Sequence, residues 1–490
     1  MLEYGRNNIK LFGGNNMDEK RIFINSFCKA MSDNSAAIFA GAGLSRNSGF
    51  VSWKELLSDM AIELGLQIEK EYDLISLAQY YKNEHNNRNT INLEILNCFS
   101  YNTSENKLLD LITSLPIETF WTTNYDRLIE DTLRIKWNKK VDVKINQNSL
   151  SSSLKERDAV VYKMHGDILD ASNAVITKDD YEIYELSHKL FVTALQGDLI
   201  SKTFAFVGFS FDDPNINYIL SRIRILLGEN QREHYCFIRK IKQDEYIKIG
   251  KTNEDYIYDL TKQNLKIEDL KRYGIRTILI DEYEEIYEIF SEINKKHLLD
   301  KVFVSGSARD YGNFKDSYYF LNKLGYELIN KNYKLVTGFV EGVGPQLLNG
   351  ALNAISDKKI KLEKYICIKH LPLINGKSEH MDPITKEIYQ NNMISTAGVI
   401  IFLFGNNYYD GKLSNSNGVL KEFERAKKLN KYIIPVGATG FASKVIFDEV
   451  KSNIKSYSYL ENYLDKLENP KTTDELVNTI LKLLEELRKI

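Results

Sequence analysis

The stretch Ala36-Ala-Ile-Phe-Ala-Gly-Ala-Gly-Leu-Ser45, continuing through Arg46-Asn-Ser-Gly49, decides how this chain is read. Five small or apolar residues predict a buried strand, and it ends abruptly in the turn Gly41-Ala42-Gly43. Glycines at that place let the backbone turn tightly and approach a ligand with no Cβ in the way. Amide groups at the start of a helix suit a pyrophosphate, so this turn is a candidate phosphate cradle. A single G-x-G occurs in many α/β proteins, so its weight comes from the strands farther along the chain.

Three further strands end the same way. Leu115–Thr123 runs into Asn124-Tyr125-Asp126, Ala159–Met164 into His165-Gly166-Asp167, and Thr203–Val207 into Gly208-Phe-Ser210, before the turn and helix start Asp212-Asp-Pro-Asn215. Short apolar segments at His234–Arg239 and Thr277–Ile280 complete the set, and helical patterns at Glu19–Ser32, Trp53–Leu66, Asp73–Glu84 and Asn92–Ser100 lie between strands. Strands alternating with helices predict a parallel, doubly wound sheet. Gly41–Gly43, Asn124, His165, Gly208 and Ser210 then share one address, the carboxyl edge of that sheet, where open α/β sheets bind their ligands.

Composition narrows the function. At 490 residues the chain exceeds one ordinary core, and two or three domains are expected. A formal net charge of -2 gives no basic surface for nucleic acid or anionic membrane. No apolar run approaches the roughly 18 residues of a membrane span, and the N-terminal tail has no hydrophobic signal segment. A cytoplasmic protein is expected. The four cysteines, Cys28, Cys98, Cys236 and Cys367, form no C-x-x-C, and the seven histidines form no H-E-x-x-H. Reduced thiols and no metal are the expectation.

Gly41-Ala-Gly-Leu-Ser45 with Ser48-Gly49, Thr122-Thr-Asn-Tyr-Asp126, His165-Gly166 and Gly208-Phe-Ser210 stand in the order of the sirtuin motifs GAGxS, T-x-N-x-D, HG and G-x-S. Residues 20–290 thus resemble the sirtuin family. The resemblance implies an NAD site with His165 as general base and Asn124 holding a water or ribose hydroxyl. Gly41, Ala42, Gly43, Ser45, Thr123, Asp126, Gly208 and Ser210 would bind the dinucleotide. Two departures matter: the paired C-x-x-C zinc module of sirtuin deacylases is missing, and Gly49 is followed by Phe50-Val-Ser-Trp53 rather than a Pro-Asp-Phe-Arg segment. NAD hydrolysis is therefore favoured over protein deacylation, with a non-catalytic nucleotide sensor as the other alternative.

Glu284–Leu299 reads as a helix with Ile286, Ile289, Phe290, Ile293 and His297 on one side, connecting two domains. A second strand series comes next: Lys301–Val304 into Ser305-Gly-Ser-Ala308, Tyr333–Thr337 into Gly338-Phe-Val-Glu-Gly342, then Tyr365–Ile368, Gly398–Phe404 and Tyr432–Val436. Helix Tyr318–Lys331 lies among them. Thr472-x-x-Glu475 predicts a capping box for a last amphipathic helix. The expected division is a tail at 1–20, an NAD-hydrolysing domain at 21–283, a connecting helix at 284–300 and a sensing domain at 301–490.

This second Rossmann-like domain resembles the SLOG family. Of the P-G-G-x-G-T-x-x-E motif of its phosphoribohydrolase relatives, only Gly418 and Glu422 remain within Gly405–Glu422. A sensor rather than a second enzyme is implied. A sirtuin-like NADase joined to a SLOG domain resembles the effectors of Thoeris antiphage systems, across segments that include Tyr162–Asp167, Val207–Phe211 and Pro435–Gly440. The resemblance implies a cyclic ADP-ribose isomer, made by a TIR-domain partner, as activator, and NAD+ as substrate. Ser305, Gly306, Ser307, Gly338, Gly342, Lys369 and Glu422 would line the signal pocket, with Lys369 where an arginine is expected. A homotetramer or larger assembly is also implied.

Overall fold

The structure, a computed structural model, describes residues 16–99, 104–369, 382–409 and 411–489. Most of the expected N-terminal tail lies outside the described residues. The chain divides into two compact units, residues 1–293 and 294–490. The division falls inside the helix Glu284–Leu299, which the sequence reading sets between its domains.

The first unit is built on seven parallel strands: β1 (Ala36–Ala40), β2 (Thr119–Thr122), β3 (Val141–Lys144), β4 (Ala159–Lys163), β5 (Thr203–Val207), β6 (His234–Arg239) and β7 (Ile275–Ile280). Their order is β3-β4-β2-β1-β5-β6-β7. All five residues of β1 and of β5 are buried, because each strand has sheet neighbours at both sides and covered faces. The register sets Phe39 beside both Trp121 and Phe206. From β1 the chain winds one way through β2 and β4, and the other way begins at β5. The switch point therefore lies between β1 and β5, which opens a crevice at their carboxyl ends.

The second unit repeats the plan with β8 (Lys301–Ser307), β9 (Lys334–Thr337), β10 (Ile366–Ile368), β11 (Val399–Phe404) and, beyond a hairpin, β14 (Tyr432–Pro435). Their order is β10-β9-β8-β11-β14, all parallel, so the switch point is between β8 and β11. The antiparallel hairpin pairs β12 (Asn406–Tyr409) with β13 (Lys412–Asn415). Both units are Rossmann-like. Helix Thr473–Leu487 closes the second core with Leu476, Val477, Ile480, Leu483, Leu484 and Leu487, all buried. Burial of each such side chain contributes about 1.5–3 kcal/mol.

Several expected elements change shape. The strand at Leu115–Thr123 shrinks to Thr119–Thr122, because Leu115 caps the preceding helix and Pro116 has no N–H to give a ladder. The helix at Trp53–Leu66 breaks at Leu57 into Trp53–Leu56 and Ser58–Glu63. At the last helix Thr472 Oγ1 accepts from Glu475 N–H (3.1 Å), but the Glu475 carboxylate returns to Lys471 N–H (2.8 Å), so the box is offset by one residue. β3 and the β12–β13 hairpin have no counterpart in the sequence reading.

Candidate active site

The two glycine loops at the first switch point pack backbone against backbone. Gly41 N–H donates to Val207 O and Gly43 N–H to Gly208 O, each at 2.9 Å. A Cβ on Gly41 would lie 2.4 Å from Gly208 O, and one on Gly208 would lie 2.3 Å from Leu44 N. This corrects the phosphate-cradle expectation. The two glycine amides are engaged by β5 and its loop, and the helix they introduce, Ala42–Arg46, is a single turn and a half. The glycines are required for the close approach of the loops.

Asn124 is locked in orientation by that approach. Its Nδ2 donates to Gly41 O (3.1 Å) and to Ser45 Oγ (2.9 Å), while its N–H donates to Thr122 Oγ1 (3.0 Å). Ser45 Oγ donates in turn to Asp126 Oδ2 (2.7 Å), and Asp126 Oδ1 accepts from Leu128 N–H (3.0 Å). With both amide hydrogens used, Asn124 offers its carbonyl oxygen to the cleft as an acceptor. Beneath the loop, the fully buried Lys163 ammonium donates to Tyr125 O (3.0 Å), Asp126 O (2.5 Å) and Glu130 Oε1 (3.2 Å), and also meets Asp167. Burial raises the carboxyl pKa values of Asp126 and Glu130, and the Lys163 charge opposes the rise.

His165 follows β4, where Gly166 turns the chain at φ +93°. Val175 N–H donates to His165 O (2.9 Å), and the ring packs edge-on to Tyr181 and Tyr184. Burial lowers its pKa, opposed by the nearby Asp213 and Asp180 carboxylates. A depressed value leaves the imidazole neutral near pH 7, the form that accepts a proton.

Ala42, Gly43, Ser45, Thr123, Asn124, Asp126, His165, Gly208 and Ser210 line one cleft of about 380 Å3. Gly41 lies directly beneath, its carbonyl held by Asn124. The same cleft is lined by Arg46, Trp53, Lys54, Tyr181 and Asp213, which sequence reasoning missed. Asp213-Pro214 is legible as an N-cap and first helical residue. Nothing in the sequence turns that carboxylate toward His165.

In the second unit Ser305, Gly306 and Ser307 end β8, Gly338 follows β9 and Lys369 follows β10, so they share one sheet edge. Ser305 Oγ donates to Glu422 Oε2 (2.5 Å), and burial pushes the Glu422 carboxyl up to about 7. Gly342 (φ +80°) lies against Ala308, where a Cβ would meet Ala308 O at 1.9 Å. Ser307 Oγ donates to Asn406 O (3.0 Å). Asn406, absent from the sequence reading, is buried and fixes the loop after β8: its Oδ1 accepts from Arg309 N–H (2.9 Å), and its Nδ2 donates to Asp310 O (2.6 Å). A groove of about 880 Å3 lies elsewhere, along Tyr311–Asp316, Ala438–Phe441 and residues 468–474, and no predicted signal residue lines it. Among the described residues no helix is long and apolar enough to cross a membrane, and no three His, Cys, Asp or Glu side chains gather as metal ligands.

A doubly wound sheet with an oriented asparagine and a neutral histidine at its switch point, followed by a second Rossmann-like unit, defines a sirtuin-like enzyme joined to a second α/β domain. Residues 118–265 match the SIR2-like domain family, and residues 285–487 match the Sir2- and TIR-associating SLOG family, STALD. The chain is 44% identical over 448 residues to the NAD(+) hydrolase ThsA of Cytobacillus dafuensis, covering 90% of each chain. It is 40% identical to that of Enterococcus faecium (96% of this chain, 100% of the relative) and 41% identical to that of Bacillus cereus strain MSX-D12 (95% and 98%). The chain belongs to the ThsA family of NAD(+) hydrolases.

Proposed function

We propose that the first unit hydrolyses NAD+ to nicotinamide and ADP-ribose, and that the second unit binds a cyclic ADP-ribose isomer that switches the reaction on. The protein acts in the cytoplasm, as a homotetramer or larger assembly, in Thoeris antiphage defence. A TIR-domain partner supplies the signal on infection, and loss of NAD then halts the infected cell.

Breaking the nicotinamide–ribose bond leaves an oxocarbenium-like carbon that a positioned water must trap. Asn124, with both amide hydrogens held by the protein, orients that water or the ribose hydroxyls through its carbonyl oxygen. His165, neutral by burial, takes the proton, an effect of roughly 10²–10⁴ in rate. Ser45 and Asp126 hold Asn124 in place. The observation that carries the reading is the placement of Asn124 and His165 in one cleft at the switch point.

Ser305, Gly306, Ser307, Gly338, Gly342, Lys369 and Glu422 form the signal site. Lys369 would hold a phosphate of the signal as a point charge rather than a bidentate fork. An NADase that must stay silent until infection needs roughly 5.5 kcal/mol of differential signal binding to pass from 1:99 to 99:1 active. Asn124→Ala and His165→Ala test the catalytic assignment. Each is expected to lose at least ~10²-fold in nicotinamide release with an unchanged circular dichroism spectrum; wild-type turnover in either variant overturns it.

A further inference from the structure

His165 is a base whose own orientation requires a cause. Its ring is nearly fully buried, and Nε2 makes no hydrogen bond although it has no access to water. That nitrogen lies 3.2 Å from Asp213 Oδ2, an ion-pair distance that lacks only alignment. Nδ1 is not among the fully buried unpartnered atoms and has no protein hydrogen bond among the described residues, so it is the nitrogen left to the cleft.

Asp213 is itself fixed from both sides. Its Oδ1 accepts from Ile216 N–H (3.0 Å) as the N-cap of helix Pro214–Leu227, whose amino end favours a negative charge. Its Oδ2 accepts from the Tyr181 hydroxyl (3.2 Å). The carboxylate therefore cannot swing away from the histidine without losing both a cap and a phenol contact. The remaining polar groups facing the ring are Asp180, both of whose carboxylate oxygens accept from Arg88 Nη1, the Tyr184 hydroxyl, which donates to Met164 O (3.1 Å), and His188, stacked on Tyr184. None of these hydrogen-bonds His165 Nε2, and the carboxylate paired with it is that of Asp213.

We propose that Asp213 is the positioning partner of His165: its carboxylate, 3.2 Å from Nε2, faces the Nε2–H, which aligns to it as a hydrogen bond when the base works, holds the tautomer that presents Nδ1 to the substrate, and balances the imidazolium that forms when Nδ1 accepts a proton. The proposal rests on the reading of His165 as the general base. A base oriented by a third group is the arrangement that makes nucleophile-and-base pairs work on unrelated folds, and loss of the third group leaves the ring in the wrong tautomer. Proton balance is kept within the site. The proton leaves the attacking water for Nδ1, Nε2 keeps its own, and Asp213 stays a carboxylate throughout.

The test uses Asp213→Asn in the full chain, assayed for nicotinamide release from NAD+ with cyclic ADP-ribose isomers present, beside the wild type and His165→Ala. The asparagine keeps the helix cap, so folding is preserved. The expected result is a kcat reduced by roughly 10²-fold or more with KM changed by less than about threefold. The acid limb of kcat/KM moves to lower pH, because removal of the negative charge beside the ring makes the imidazolium harder to form. Asp213→Glu, which restores the charge, is expected to recover part of kcat. An independent readout is the His165 imidazole titration followed by NMR, expected at lower pH in Asp213→Asn than in the wild type. Wild-type kcat and an unmoved titration in Asp213→Asn, with turnover abolished in His165→Ala, overturn the partnership alone. Wild-type turnover in His165→Ala overturns the base assignment and the partnership together.

Discussion

Replacing Lys163 by Met removes the ammonium that sits against two buried carboxyl groups, Glu130 and Asp167, and whose charge also acts on a third, Asp126. Lys163 has no exposed surface, and its Nζ contacts Glu130 Oε1, Asp167 and the carbonyls of Tyr125 and Asp126. Methionine matches the stem in volume but supplies no donor, so Glu130, Asp167 and Asp126 lose their common counter-charge. Stripping one partner from a buried ion pair costs about 3–5 kcal/mol, since the charge left behind stays desolvated. Burial already pushes the carboxyl pKa values of Asp126 and Glu130 up, and Lys163 is what restrains them. Asp126 and Glu130 therefore take up protons more readily in Lys163→Met, and the loss shrinks as pH falls. Urea unfolding of the first unit at pH 8 and pH 5 measures this. A loss of several kcal/mol at pH 8 that is clearly smaller at pH 5 is expected. Adding Glu130→Gln, which removes one of the stranded charges, is expected to recover at least ~1 kcal/mol in a double-mutant cycle. A loss below about 1 kcal/mol at both pH values, or strict additivity with Glu130→Gln, refutes the reasoning.

The same geometry sets two further outcomes. Gly41→Ala puts a Cβ 2.4 Å from Gly208 O and 2.7 Å from Phe209 Cα, both backbone, so no rotamer relieves it; a cost of about 1–3 kcal/mol in stability and a fall in kcat of roughly 10²-fold are expected by thermal unfolding and steady-state assay. In the second unit the Glu422 carboxyl, raised to about 7 from an ordinary value near 4.5, contributes stability that is present below pH 4.5 and lost as pH rises through 7. Glu422→Gln is therefore expected to gain on the wild type by up to about 3 kcal/mol between pH 5 and pH 8, and a pH-independent difference between the two refutes the burial of that charge.

Much of the site was legible because chemistry sits where strands stop. Apolar runs such as Thr203–Val207 announce buried strands, and the residue after each run is the one a doubly wound sheet delivers to its ligand edge. That logic gathered Asn124, His165, Gly208 and Ser210 from segments far apart in sequence into one cleft. It misread the glycines, because composition cannot tell an amide offered to a phosphate from one already bonded to the next strand. It passed over β3, whose Val141-Asp-Val-Lys144 carries too few apolar residues for a strand signal and survives on pairing with β4. Asp213 and Asn406 were missed for a different reason. Each does an ordinary local job, a helix cap in one case and a loop anchor in the other, and only the fold shows what else its side chain reaches.

The central claim is a signal-gated NADase, and nicotinamide release from NAD+ by the purified full chain, with and without cyclic ADP-ribose isomers, tests it most directly. Release that appears only with an isomer present, and that disappears in His165→Ala, is the predicted result. Release that is the same with and without every isomer, or that persists in His165→Ala, contradicts it.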